Sequence, residues 1–226
     1  FVNEFKLRGV PTKVLINRQQ QDDVFDVLVD KKEVSHKFFY VGFYIFVRSM
    51  FLTLFMAYLR NRASLMSMEE IALQHVLLQL WSFGYVFVDA LAIAAQTLVS
   101  EYKTKFHDYR NSDLKKYLNK LTLRISVSLF VFSSIFLDTL ITLITDKSLG
   151  QLIDFELRIL FGLSLLIGSF AFLWDGVLLG LDKSREFSSL TIVSSIIGFI
   201  SCSYFLNFEN TLSSLWMGLN LSLVYR

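Results

Sequence analysis

Six apolar runs, each close to the length that crosses a lipid bilayer, set the frame for what this chain can fold into. They occupy residues 38–59, 71–99, 121–144, 157–181, 187–206 and 211–225. A hydrocarbon core about 30 Å thick takes roughly 20 apolar residues of helix. The expected fold class is therefore all-α, a polytopic membrane protein built as a six-transmembrane-helix bundle. Composition agrees: 54% of residues are hydrophobic, above the usual share for a soluble globular chain, and mean hydropathy is +0.50.

Charge in the connections tests the count. The opening segment carries Lys6, Arg8, Lys13, Arg18, Lys31, Lys32 and Lys37. The stretch after the second run carries Lys103, Lys105, Arg110, Lys115, Lys116 and Lys120, and the turn after the fourth carries Lys183 and Arg185. The alternate connections hold only Arg60 and Arg62, then Lys147 and Arg158. Lys and Arg thus gather on every second connection, as they do on cytoplasmic loops. This predicts six spans with both ends inside. The chain begins with Phe1, and its first 37 residues are polar and charged. Residues 1–37 read as a cytoplasmic linker, 38–226 as the membrane domain, and the whole as a piece of something longer. Residues 103–120 read either as a solvated loop with basic anchors or as a short helix on the membrane surface.

Two acidic residues interrupt the apolar runs. Asp89 lies in the second and Asp175 in the fourth. A carboxylate near the middle of a membrane helix costs on the order of 2.5–3.5 kcal/mol on insertion scales, so it faces a cavity or a partner charge and marks a functional site by default. Around Asp89, the residues His75, Gln79, Ser82 and Gln96 follow steps that place all five on one helical face. Lipid offers such groups no partner. Gln79, Ser82 and Gln96 are accordingly read as cavity-lining, with interhelical hydrogen bonding as the structural alternative. His75 sits near the outer end as an interfacial contact.

Arg48 lies about ten residues from the inner end of the first run, and Asp89 the same distance from the inner end of the second. At about 1.5 Å per residue both are some 15 Å deep, so an ion pair would relieve two buried charges. The pair is either static or a switch that opens when a cation arrives. Asp175 is closer to the inner end, and either coupling, end solvation or pairing with Lys183 accounts for it. Small residues Ser164, Gly168 and Ala171 share its face and permit close helix approach. Asp138 is read as an exposed carboxylate near the outer surface.

Other chemistry finds little foothold. The lone cysteine, Cys202, cannot form an internal disulfide, and no Cys/His cluster has metal-ligand spacing. No glycine-rich phosphate loop, GxSxG or HExxH occurs, so no enzyme, cofactor or nucleic-acid partner is expected.

The string ALQHVLLQLWSFGYVFVDALAIAAQTLV, residues 72–99, resembles the AAHQ…LQLW…DALA.AAQALV pattern of the multidrug and toxic compound extrusion (MATE) family, in its DinF-like branch. FLWDGVLLGLDKSRE is similar to that branch's LDGILLGAGDTR segment, and Arg48 stands where the branch has an arginine in its seventh helix. The resemblance covers about residues 38–225. It implies the C-terminal lobe of a two-lobe, twelve-helix transporter that exchanges H⁺ or Na⁺ for organic compounds by alternating access. It further implies that Asp175 matches an acidic position of helix ten tied to cation coupling, and that Asp89 and Gln96 match the DALA…AAQ positions of helix eight. Gln74 and His75 reverse the expected order, and the run from Leu181 to Ser184 lacks the family's glycine turn. The implied partners are the bilayer, a small organic substrate and an N-terminal lobe outside these residues. The implied location is a plasma or inner membrane or a plastid envelope. The alternatives are a lipid-linked oligosaccharide flippase of the same superfamily and a non-transporting membrane scaffold.

Overall fold

The computed structural model describes residues 31–106, 113–145 and 147–226. It is an all-α membrane helical bundle, with no strand among the described residues. The helices are α1 (Lys31–Ala63), α2 (Met68–Phe106), α3 (Asp113–Ile144), α4 (Lys147–Gly150), α5 (Phe155–Gly180), α6 (Ser184–Phe208) and α7 (Leu212–Val224). Five of them are long and apolar enough to cross a membrane. The exception among the expected spans is α7, whose 13 residues reach about 20 Å, short of a core about 30 Å thick.

The chain divides into two compact units, Phe1–Phe43 and Tyr44–Arg226. Of the first, the described part is the opening of α1, so helix begins within the expected linker; residues 1–30 lie outside the described residues. The second unit holds the rest of α1 and all other helices.

Helices also run past the apolar spans. α2 continues to Phe106 and α3 begins at Asp113, so residues 103–106 and 113–120 of the charged stretch extend these two helices, and residues 107–112 lie outside the described residues. The Lys, Tyr and Leu residues of these extensions propagate helix readily once the span has nucleated it. At the other end of α2, a reciprocal cap fixes the start. Glu70 Oε2 accepts from the Ser67 amide at 3.0 Å, and Ser67 Oγ accepts from the Glu70 amide at 3.3 Å.

The bundle is organised around α5, which packs against α2, α3 and α7, while α7 also packs on α6. Glycine makes this possible. A Cβ at Gly176 would strike the Ala92 carbonyl of α2, and one at Gly180 would come within 2.6 Å of the Gln96 carbonyl. Gly218 of α7 likewise lies against the backbone and sulfur of Cys202 in α6. Without an apolar solvent contrast between helices, such close backbone approach and dispersion contacts hold a membrane bundle together.

One core cluster gathers Phe55, Trp81, Leu137, Phe161, Leu215 and Trp216; a second, around Leu91, Val99, Leu118 and Leu173, lies further along α2 and α5. Polar ties cross the helices. Trp216 Nε1 donates to Gln74 Oε1 at 2.9 Å, Asn220 Nδ2 to the Leu160 carbonyl at 2.9 Å, and Ser222 Oγ to the Ser194 carbonyl at 2.8 Å. α1 meets α6 through Phe55 on Phe199 and a 2.6 Å hydrogen bond between the Tyr58 and Ser203 hydroxyls.

Candidate functional site

Asp175 is buried on α5, and its partner is Arg226, one residue past the C-cap of α7. The guanidinium Nη2 donates to Asp175 Oδ2 at 2.5 Å. It also lies over the ring of Phe172, one turn back along α5, at 4.5 Å from the centroid. Neither end solvation nor Lys183 accounts for Asp175; Lys183 instead faces Glu186 at 3.9 Å. The α7 C-terminus is brought to α5 because Gly218 and Asn220 let α7 seat closely on its neighbours.

Arg48 makes no ion pair with Asp89. Its Nε donates to Thr191 Oγ1 at 3.2 Å, and its guanidinium stacks on Phe187 at 4.1 Å. The inward face of α6 supplies both contacts, so the expected Arg48/Asp89 pair gives way to hydroxyl and ring contacts nearer at hand. Asp89 is exposed on α2 and forms no ion pair among the described residues. The four charges nonetheless form one electrostatic group. Arg48 feels Asp89, Asp175 and Arg226, and Asp89 feels both arginines. Two cations and two anions leave the group balanced, with Asp89 the member that forms no ion pair among the described residues.

Tyr85, one turn before Asp89, borders this group. Its hydroxyl donates to the Ser164 carbonyl at 3.0 Å, and its ring packs between Trp81 and Phe172. Phe172 therefore links the Tyr85 cluster to Arg226.

The polar stripe of α2 points away from the bundle. His75, Gln79, Ser82, Asp89 and Gln96 are all exposed, while Leu77, Trp81, Tyr85, Val88 and Ala95 are buried. Among the described residues, Gln79 and Gln96 line different recesses. Gln79 borders an apolar cavity between α2 and α3, and Gln96 lies in an open recess with Thr97, Ser100 and Glu101. The Ser82 hydroxyl donates to the Leu78 carbonyl at 2.8 Å. His75 sits in a recess with Arg60 and Gln74 at the start of α2.

Asp138 is not a free surface carboxylate. It is ion-paired with Arg158 at the start of α5, both side chains being partly buried. Among the described residues no group of three or more His, Cys, Asp or Glu side chains is placed to hold a metal ion.

Sequence reasoning overlooked Arg226. A basic residue closing the run LSLVYR was the available signal, since a cation there must either reach water or find an acid. It also did not find Thr191 and Phe187, which hold Arg48 and look like ordinary core residues in the sequence.

No protein-family model, curated protein or solved structure matches this chain.

Proposed function

We propose that the chain is one lobe of a secondary active antiporter of the MATE type, which exports organic compounds in exchange for H⁺ or Na⁺. The observation that carries this reading is the placement of Asp89. It stands on an exposed polar stripe of a membrane helix, beside the buried Asp175 and Arg226 side chains and a half-buried Arg48, and it balances the charge of that group. Lipid cannot solvate that stripe, so in this reading it lines an aqueous cavity facing a second lobe. A cation reaching Asp89 or Asp175 neutralises one carboxylate and leaves the group with surplus positive charge. Packing in which an arginine moves away from the site is then favoured, and a ligand with unequal affinity for two packings shifts their populations. A flippase for pyrophosphate-linked sugars is supported less well. It needs cations free for phosphate, whereas Arg226 is held by Asp175.

The test is substrate efflux by the full-length protein in proteoliposomes under an imposed H⁺ or Na⁺ gradient. Asp89→Asn is expected to abolish gradient-driven efflux while leaving the protein folded. Efflux unchanged in both Asp89→Asn and Asp175→Asn would sink the coupling role. A double neutralisation of Asp175 and Arg226 that leaves efflux intact would reduce that pair to scaffolding.

A further inference from the structure

Arg226 grips its buried acid at a single point. Nη2 donates to Asp175 Oδ2, while Nε, also buried, has no hydrogen-bond partner among the described residues. A bidentate arginine–carboxylate pair is the stronger arrangement, so this guanidinium is held by half of what it offers. Its other contact is the Phe172 ring, one turn back along α5. Arg48 is held differently, by Thr191 and Phe187 of α6, and forms no ion pair among the described residues.

A second carboxylate lies at the same level. Gln74 of α2 meets Trp216 of α7, and Tyr85 follows Gln74 by three turns on the same face. Asp89 comes one turn after Tyr85 and just short of Ala92, sharing a side of the helix with both. Tyr85 packs on Phe172 with ring centroids 4.6 Å apart, and the Ala92 carbonyl lies where a Cβ on Gly176 would fall. Asp89 is thus bracketed on α2 by contacts to the same turn of α5 that holds Arg226, from Phe172 to Gly176. It is exposed because it stands at the edge of this seam, on the side away from α3, which Phe83 and Phe87 face instead. Of the two arginines, Arg226 acts on Asp89 the more strongly.

We propose that Arg226 is a shuttle between two carboxylates, passing from Asp175 to Asp89 when Asp175 loses its charge. Left in place, the guanidinium would be a buried cation without a counter-ion. Moving over Phe172 toward Tyr85, it keeps an aromatic face beneath it and ends on an acid that has no other ion pair. Asp175, then neutral, tolerates burial far better than its charged form. The charges acting on Asp175 are Asp89 of α2, Arg226 of α7 and Arg48 of α1, while Lys115 of α3 is turned to the Trp174 ring. The transfer takes the end of α7 off α5 and onto α2. It supplies a movement for the antiport proposed above and rests on that reading only for its purpose: unfolding temperatures report the transfer, efflux reports transport, and either can fail alone.

The test is a double-substitution cycle on the intact chain, read as unfolding temperature in detergent. Asp89→Asn is expected to cost little in the otherwise native protein. In the Asp175→Asn background, where Asp89 holds Arg226, it should cost on the order of 5 °C more, the worth of one charge-assisted hydrogen bond in a chain of this size. With Arg226→Gln added to every member of the cycle, that excess should vanish. Equal costs of Asp89→Asn in the two backgrounds would overturn the shuttle. So would an excess that survives Arg226→Gln, which is relief of repulsion between the acids. Failure of Asp175→Asn to fold, when Asp175→Asn with Arg226→Gln folds, would overturn it too. A second measurement needs no Asp175 variant. With Cys202→Ala, the thiols of Asp89→Cys and Arg226→Cys should be joined within one chain by a short bifunctional maleimide, and no bridge would put Asp89 out of reach.

Discussion

Taking a carboxylate and a guanidinium out of water costs several kcal/mol per ion even after relaxation, and the Arg226 and Asp175 side chains are only 4% and 8% exposed. Their mutual contact and the Phe172 ring offset that cost, so the harm comes from removing one partner alone. Asp175→Asn is expected to destabilise the bundle by about 3–5 kcal/mol, whereas Asp175→Leu with Arg226→Met recovers most of the loss. Thermal unfolding in detergent checks both, and equal destabilisation by the single and double variants would contradict the pairing. The depth of Asp175 was legible in the sequence because an acid in an apolar run is conspicuous. Its partner was not, since 51 residues separate the two and no local spacing rule links an acid in one helix to the end of another. Asp182 shows the same limit. It adopts a left-handed φ of 60° in the turn between α5 and α6, and Lys103 Nζ holds its carboxylate at 2.8 Å. That contact comes from the far end of α2.

At the scale of elements, the seam between α2 and α5 is set by backbone proximity. The side chain added by Gly176→Val meets the Ala92 carbonyl, which has no rotamer with which to yield. We expect a loss of at least about 1–3 kcal/mol, the range for overpacking, together with separation of α2 from α5. Gly42→Ala serves as the contrast. Nothing lies within 4 Å of a Cβ there, and helix propensity alone favours alanine by roughly 0.5–1 kcal/mol. Apparent unfolding temperatures that fall alike in the two variants would refute the seam. Span positions were legible because apolar runs of this length have few other solutions in a membrane. Helix ends were not: charged extensions such as those of α2 and α3 propagate from a nucleated span and leave no apolar signature.

At the scale of the molecule, the buried and exposed faces of the bundle are separable by a single chemistry. Cys202, the chain's one thiol, is fully buried against Gly218. The native protein in vesicles is expected to resist a water-soluble maleimide and to react fully on unfolding. In a Cys202→Ala background, Gln96→Cys on the exposed stripe should label, and Ile93→Cys and Phe87→Cys report where water stops and lipid begins. Protection of the Gln96→Cys thiol only in the longest available form of the protein would indicate that another segment covers the stripe. The stripe itself was legible as a periodicity; the direction it faces was not, because sequence gives the angular spacing of side chains but not which side the neighbouring helices take.

The reach of Arg226 back to Asp175 also has a consequence in time. The ribosome delivers α5 well before its counter-ion: at about 5–20 residues per second, the 51 intervening residues take roughly 3–10 s. During that interval the nascent α5 must either carry its carboxyl in the neutral, protonated form or wait beside the insertion machinery. Biogenesis and the finished protein therefore place opposite demands on position 175, and a neutral residue there eases membrane entry while weakening what is eventually assembled.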